Sequence, residues 1–243
     1  MRRRWLTALL FMLLSSVLPA DQSGVEHRLS FENRKNQYVY VQLSVPVQGE
    51  TISLAMPNWT PGSYLIREYA AQVESLQARG NSGELPAVSK IEKNRWRIAT
   101  SGESRIVVEY SVWAGELAVN AGWVESDFAL LNGAGIFLYN ENTRNLPQLL
   151  RIDLPDSWRK VHVALPASDS HHTFSARSYD ELVDSPILLG NTKAYPFEVA
   201  GHSYALINQD DSRLWDGDRA AADVARVAQS VQSFWQINPL QRE

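Results

Sequence analysis

Histidines are the first residues to test for chemistry, because a neutral imidazole is a usual ligand of hydrolytic zinc and a common general base. The chain carries five: His27, His162, His171, His172 and His202. None opens an H-E-x-x-H motif, since the residues that follow them are Arg28, Val163, His172, Thr173 and Ser203. His171 and His172 are adjacent rather than one helical turn apart, and on a strand they would point to opposite sides; they read as part of a solvated loop. Nucleophilic catalysis wants Ser or Cys beside a base, often on a G-x-S-x-G elbow, and the chain has neither that elbow nor any cysteine. Asp169, Ser170 and His171 are consecutive, but a triad is assembled in space rather than from three neighbours, so they too read as a polar loop. Asp210, Asp211, Asp216 and Asp218 miss the alternate-acid spacing of a calcium loop and read as a linker with a helix cap. Asn58-Trp59-Thr60 fits a glycosylation sequon, but Pro61 follows at once and the match reads as coincidence. No catalytic residue and no metal ligand is assigned.

The densest group of special residues is Met56-Pro57-Asn58-Trp59-Thr60-Pro61-Gly62-Ser63-Tyr64-Leu65-Ile66-Arg67-Glu68-Tyr69-Ala70. Pro61-Gly62 demands a turn, with the glycine supplying positive φ. Trp59 and Tyr64 offer large apolar bodies with polar handles, and Arg67 presents a rigid, permanently charged fork. A plain hairpin would not need all of them.

The elements that must position this segment are mainly strands. Apolar residues alternate at 25–31, 39–47 and 52–56, and again at 96–98, 106–112, 136–139, 150–154, 195–199 and 204–206, the period of half-buried strands. That density, punctuated by Gly, Pro, Asn and Asp, predicts an antiparallel β-sandwich-like domain. A helix is predicted only near the end, with Asp218 as cap and a run from Arg219 to about Trp235. It carries Ala222, Ala225, Ala228 and Val231 on one stripe, flanked by Val224, Val227 and Phe234. Such an amphipathic helix must dock on an earlier element or has lost its partner.

The address is read from the first residues. Arg2, Arg3 and Arg4 precede an apolar run at 6–18 that closes at Pro19-Ala20, the layout of a secretory signal. The run is about 13 residues where a spanning helix needs roughly 20, so a cleaved signal at 1–20 and an exported, periplasmic or secreted protein are expected. The absence of cysteine suits that compartment. The net charge is −4, three of the positive charges leave with the signal, and the remaining Lys and Arg are scattered, which excludes a nucleic-acid-binding surface.

The segment from Trp59 through Arg67 resembles the W-T-P-G-S-Y-x-x-R signature of the glycyl aminopeptidase family of zinc metallopeptidases. The agreement continues across roughly 29–240. Leu85 to Trp96 is similar to the family's strand pair, Val108-Glu109-Tyr110-Ser111-Val112 to its V-x-Y-x-V strand, and Phe128-Ala129-Leu130-Leu131-Asn132-Gly133 to its F-N-G segment. Asp153-Leu154-Pro155-Asp156-Ser157-Trp158 resembles its L-P-x-x-W turn, and Tyr179 to Pro186 its L-x-D-S-P corner. The resemblance implies an N-terminal β domain that in full-length relatives precedes a thermolysin-like, zinc-binding catalytic domain.

The family's G-L-E-H and H-E-x-x-H motifs have no counterpart in this chain. The expectation is therefore a non-catalytic substrate-cleft domain without its metal-binding half, with zinc a cofactor only of full-length relatives. Its organisation would be a β domain at 21–207, then a linker and first catalytic-domain helix at 208–243. Its partners would be a peptide N-terminus or the missing catalytic domain. A peptide pocket needs an aromatic wall and a polar anchor, for which Trp59, Tyr64, Arg67 and Asn132 are the candidates. The competing reading of each is structural: Trp59 and Tyr64 as core, Arg67 as an ion pair with an acid, Asn132 as a turn residue. A second functional reading is a free-standing β-sandwich that binds a peptide, glycan or protein partner, for which eight tryptophans and nine tyrosines give ample surface.

Overall fold

A computed structural model describes residues 24–236 apart from 81–82, 84–85, 119 and 210–214. The expected signal at 1–20 lies outside the described residues, as does most of the expected linker. No helix among the described residues is long and apolar enough to cross a membrane.

Strict alternation builds the first strands. In β2 (Tyr38–Pro46), Val39, Val41, Leu43 and Val45 point inward and are buried, while Tyr40, Gln42 and Ser44 face out, the pleat's period of two. β1 (Val25–Ser30) lies beside it, and β3 (Thr51–Ala55), β4 (Val73–Gly80), β5 (Val88–Glu92) and β6 (Arg95–Ala99) follow. Then come β7 (Arg105–Trp113), β8 (Gly122–Val124), β9 (Phe128–Leu131), β10 (Gln148–Ile152), β11 (Lys160–Val163) and β12 (Thr173–Ala176). A short helix α1 (Tyr179–Val183) precedes β13 (Ile187–Gly190), β14 (Lys193–Val199) and β15 (His202–Asn208), and α2 (Gly217–Trp235) comes last.

The strands form a six-stranded sheet in the order β12-β10-β1-β2-β7-β4, a four-stranded sheet β11-β13-β9-β8, a three-stranded sheet β3-β6-β5 and the hairpin β14-β15. Every pairing is antiparallel except β1 with β10. Inward residues of the first three sheets meet in one core: Leu29, Leu43 and Ile106 from the six-stranded sheet, Leu54 and Ile98 from the three-stranded, Leu131 and Leu189 from the four-stranded. The expected fold class, mainly β with a terminal amphipathic helix, is the fold observed.

Two local expectations differ. Residues 136–139, expected as a strand, are a continuous apolar run, Ile-Phe-Leu-Tyr, and form an irregular buried segment whose strand-like contact is a bridge between Tyr139 and Ala55. A buried irregular backbone must find hydrogen bonds elsewhere, and two tyrosines provide them. The Tyr110 hydroxyl donates to the Ile136 carbonyl (2.9 Å) and accepts from the Leu138 amide (3.0 Å), while the Tyr179 hydroxyl donates to the Phe137 carbonyl (2.7 Å). Burial pushes both phenols above their ordinary range, so they remain protonated donors. The second difference is the helix cap: α2 starts at Gly217, and Asp216 rather than Asp218 is its N-cap, accepting from the Arg219 amide at 3.0 Å. Asp218 sits in the first turn, where its charge suits the positive end of the helix dipole.

Candidate functional site

The segment after β3 folds as a self-braced loop. Thr60 to Ser63 make a hydrogen-bonded turn (Ser63 amide to Thr60 carbonyl, 3.1 Å), with Gly62 at φ 86°. Pro at the second position and a left-handed glycine at the third are the signature of a type II turn. The Trp59 indole donates to the Ser63 carbonyl at 2.9 Å. The Ser63 hydroxyl then acts as a hub: it donates to the Leu65 carbonyl (2.9 Å) and accepts from the Leu65 amide (3.3 Å) and Arg67 Nε (3.1 Å). The Arg67 amide closes the loop onto the Asn58 carbonyl at 2.7 Å.

Neither aromatic of this loop is core: Trp59 is 46% exposed and Tyr64 fully exposed, as are most of Leu65 and Ile66. The structural alternative for those two residues is thereby set aside. Arg67 also departs from its alternative, since it makes no ion pair among the described residues. Its half-buried guanidinium is held by neutral groups, the Ser63 hydroxyl and the Asn120 side chain. With the Asn120 amide oxygen oriented toward it, as the hydrogen-bond network requires, that oxygen accepts from Nε (2.9 Å), from Nη1 (3.2 Å) and from Nη2.

The loop forms one side of a cavity of about 890 Å³ that Trp59, Arg67 and Asn132 line together, within the size range of ligand pockets, about 300–1,000 Å³. Tyr64 is not among the lining residues and stands out in solvent. Asn132 is a turn residue in the local sense, capping the short 3-10 turn Gly133–Gly135 by accepting from the Ala134 amide at 3.1 Å; it does so at the cavity wall. The opposite side comes from α1 and the turn that follows it. Ser178 caps α1 by accepting from the Glu181 amide, and the Glu181 carboxylate accepts from the Arg177 amide, a near-complete capping box.

Gly133 explains how the two sides meet. A Cβ there would lie 2.8 Å from the Val183 Cα, so only glycine lets the turn after β9 pack against the end of α1. The F-N-G-like and L-x-D-S-P-like segments, about fifty residues apart in the sequence, are thus in contact in the fold. Tyr139 and Tyr179 pack with ring centroids 4.9 Å apart and planes tilted by 35°, and Arg144 spans the wall, donating to Asp180 (2.8 Å) and lying 5.8 Å from the Tyr139 ring. Asp180 raises the Arg144 guanidinium above its usual range, mainly through that hydrogen bond. Asp184, also at the cavity, is exposed and makes no side-chain hydrogen bond or ion pair among the described residues.

A second, smaller cavity of about 290 Å³ shares Arg67 and Asn120 with the first and includes Tyr69, whose buried hydroxyl has no hydrogen-bond partner. Sequence reasoning missed Asn120, Arg144, Tyr179 and Asp184. Tyr179 and Asp184 lie inside the recognised corner motif, so that signal was available; nothing in the sequence ties Asn120 to Arg67.

Among the described residues the histidines do not gather into one cluster. His27 is buried with Nε2 at 2.9 Å from Gln148 Oε1 and its ring edge against Phe137, and burial lowers it to about 4. His162 pairs with the Thr192 hydroxyl at 2.6 Å. His171 and His172 have touching rings, 3.7 Å between centroids, within a turn where His172 adopts φ 46°. No group of three or more His, Asp or Glu side chains among the described residues is arranged to hold a metal ion, so those residues do not fit the zinc that the resemblance implies.

The geometry is thus a β body with a braced aromatic loop at the edge of a cavity. It is similar to a crystal structure of an aminopeptidase N family protein from Idiomarina loihiensis, at 28% identity and a TM-score of 0.82, over 89% of this chain. The match spans only 38% of that protein. No curated protein matches the chain. Residues 26–191 match the model for the Peptidase M61 N-terminal domain, and the chain belongs to that family.

Proposed function

We propose that this protein supplies the non-catalytic wall of the substrate cleft of an exported, glycyl-type zinc aminopeptidase, with the metal held by a separate catalytic domain. The observation that carries the reading is the loop at 57–67. It spends Pro, Gly, Trp, Ser and Arg on holding itself rigid, yet buries little in doing so, and its braced face lines a ligand-sized cavity. Rigid presentation of polar and aromatic groups at a concave surface supports recognition rather than stability. The exposed Tyr64, Leu65 and Ile66 beside it form an apolar tip of the kind that marks a contact surface, which suits a catalytic domain closing over the cleft.

The test is an NMR titration of the full chain with short glycyl peptides. Shifts of the Trp59 indole, the backbone amides at 58–63 (prolines excepted) and the Asn132 side chain are expected at millimolar peptide. Shifts absent there, or confined to the outer sheet face around Tyr40 and Gln42, would overturn the cleft reading and favour a free-standing binding module.

A further inference from the structure

The larger cavity contains four charged side chains whose bookkeeping is uneven. Arg144 and Asp180 neutralise each other. Arg67 and Asp184 line the same cavity without meeting, and neither has an opposite charge against it among the described residues. Arg67 is the more informative of the two. Its nitrogens are satisfied by oxygens of Ser63 and Asn120, which fix the plane of the fork, yet those oxygens are neutral and leave its full charge uncompensated in a half-buried position. A guanidinium held in place by neutral groups is pre-set for a planar anion, because both fork and carboxylate present paired, parallel hydrogen-bonding edges. Asp184, at the end of α1, gives the same cavity one free carboxylate, which suits an ammonium.

We propose, building on the cleft reading above, that this cavity recognises short peptides as zwitterions, with Arg67 taking the free C-terminal carboxylate and Asp184 facing the N-terminal ammonium. Both termini are read by the same cavity, so the ligand is limited to a length whose ends reach both charges at once. A long polypeptide offers its amine without its carboxylate and forfeits one of the two contacts. The ligand class is therefore short peptides with both termini free, not protein N-termini.

The experiment compares glycyl-alanine, its C-terminal amide and its N-acetyl form, reading the dissociation constant of each from the Trp59 indole shift of the full chain. Hydrogen bonds between charged groups are worth about 1.5–3 kcal/mol, so amidation is expected to weaken binding about tenfold or more, and acetylation to weaken it in the same direction by less, because Asp184 is exposed. Arg67→Gln should bind the free and amidated peptides equally, and Asp184→Asn the free and acetylated ones. The modified ligands test the wild-type protein directly, so a damaged loop in Arg67→Gln does not spoil the result. Equal affinity of wild type for the free and amidated peptides overturns the proposal while leaving the cleft reading intact. Failure of every peptide to perturb the loop overturns both.

Discussion

Leu54, Ile98, Ile106 and Leu131 in the three-sheet body are sealed from solvent, whereas Val227 on α2 is 64% exposed and Phe234 76%, with Val224, Val231 and Trp235 also open. The contrast does not come from a lack of apolar residues near the end of the chain. α2 is apolar on two faces. Its small-residue face, with Gly217 and Ala221 buried and Ala225 and Ala228 half-buried, packs on β14 and β15. Its Val and Phe face is left exposed. Tyr195, Val199 and Ala221 are buried, yet they lie outside the continuous core of the three sheets. The hairpin and helix thus hold together through a thin layer of their own, while the β body is stabilised by a core that closes on itself. The body buries its apolar side chains within itself, whereas the hairpin-helix unit leaves one apolar face exposed.

That comparison breaks most easily in the body. Phe137 is fully buried in the irregular segment at 136–139, against His27. Phe137→Ala removes a ring from a closed core and should cost about 3–5 kcal/mol, read as a lowered urea midpoint with an unchanged slope. A loss under about 1 kcal/mol would mean that this core is not the continuous, tightly packed unit described.

The next effect is a pH dependence in the same place. Burial holds His27 neutral, with its folded value lowered to about 4 from an ordinary 6.5, while the Gln148 hydrogen bond opposes the shift. Between those two values the unfolded chain takes up a proton that the folded protein refuses. The contribution of His27 is therefore complete above about pH 6.5 and is lost as the pH falls toward 4, by about 3 kcal/mol in total. The check is the His27 ring resonance, which should hold its neutral position down to below pH 5. Titration near 6.5 would show that water reaches the ring.

The strands of the body were legible because burial on one face imposes alternation, and β1, β2, β3, β6, β7, β10, β14 and β15 follow it. Residues 136–139 are instead apolar at every position, since side chains on several sides of an irregular segment are buried at once, and the hydrogen bonds come from Tyr110 and Tyr179, which no local pattern announces. β4 was missed because its alternation is broken by a bulge between Glu74 and Gln77, with Ser75 at positive φ, and α1 because five residues are too few to show a helical period. The cavity was half legible. Pro61-Gly62 dictates its turn and Gly62 adopts the expected φ, but the partner of Arg67 is Asn120, fifty-three positions on, and a long-range contact between two polar side chains leaves no periodic trace. Asp216 took the cap from Asp218 because the cap side chain must reach the amide three residues later, and Asp216 is the one placed to reach Arg219.

The smallest effect on stability falls on α2, and it sharpens the comparison most. Val227→Gln with Phe234→Gln exchanges two exposed apolar residues for one that favours helix at least as well, so the unfolding free energy should change by no more than about 0.5 kcal/mol. Self-association is the property that should change, because a stripe of exposed Val, Phe and Trp invites contact between molecules. Sedimentation of wild type and double variant over a concentration series separates the two effects. A large stability loss with unchanged association would mean that the stripe already packs within its own chain, and the hairpin-helix unit would then be as self-contained as the body.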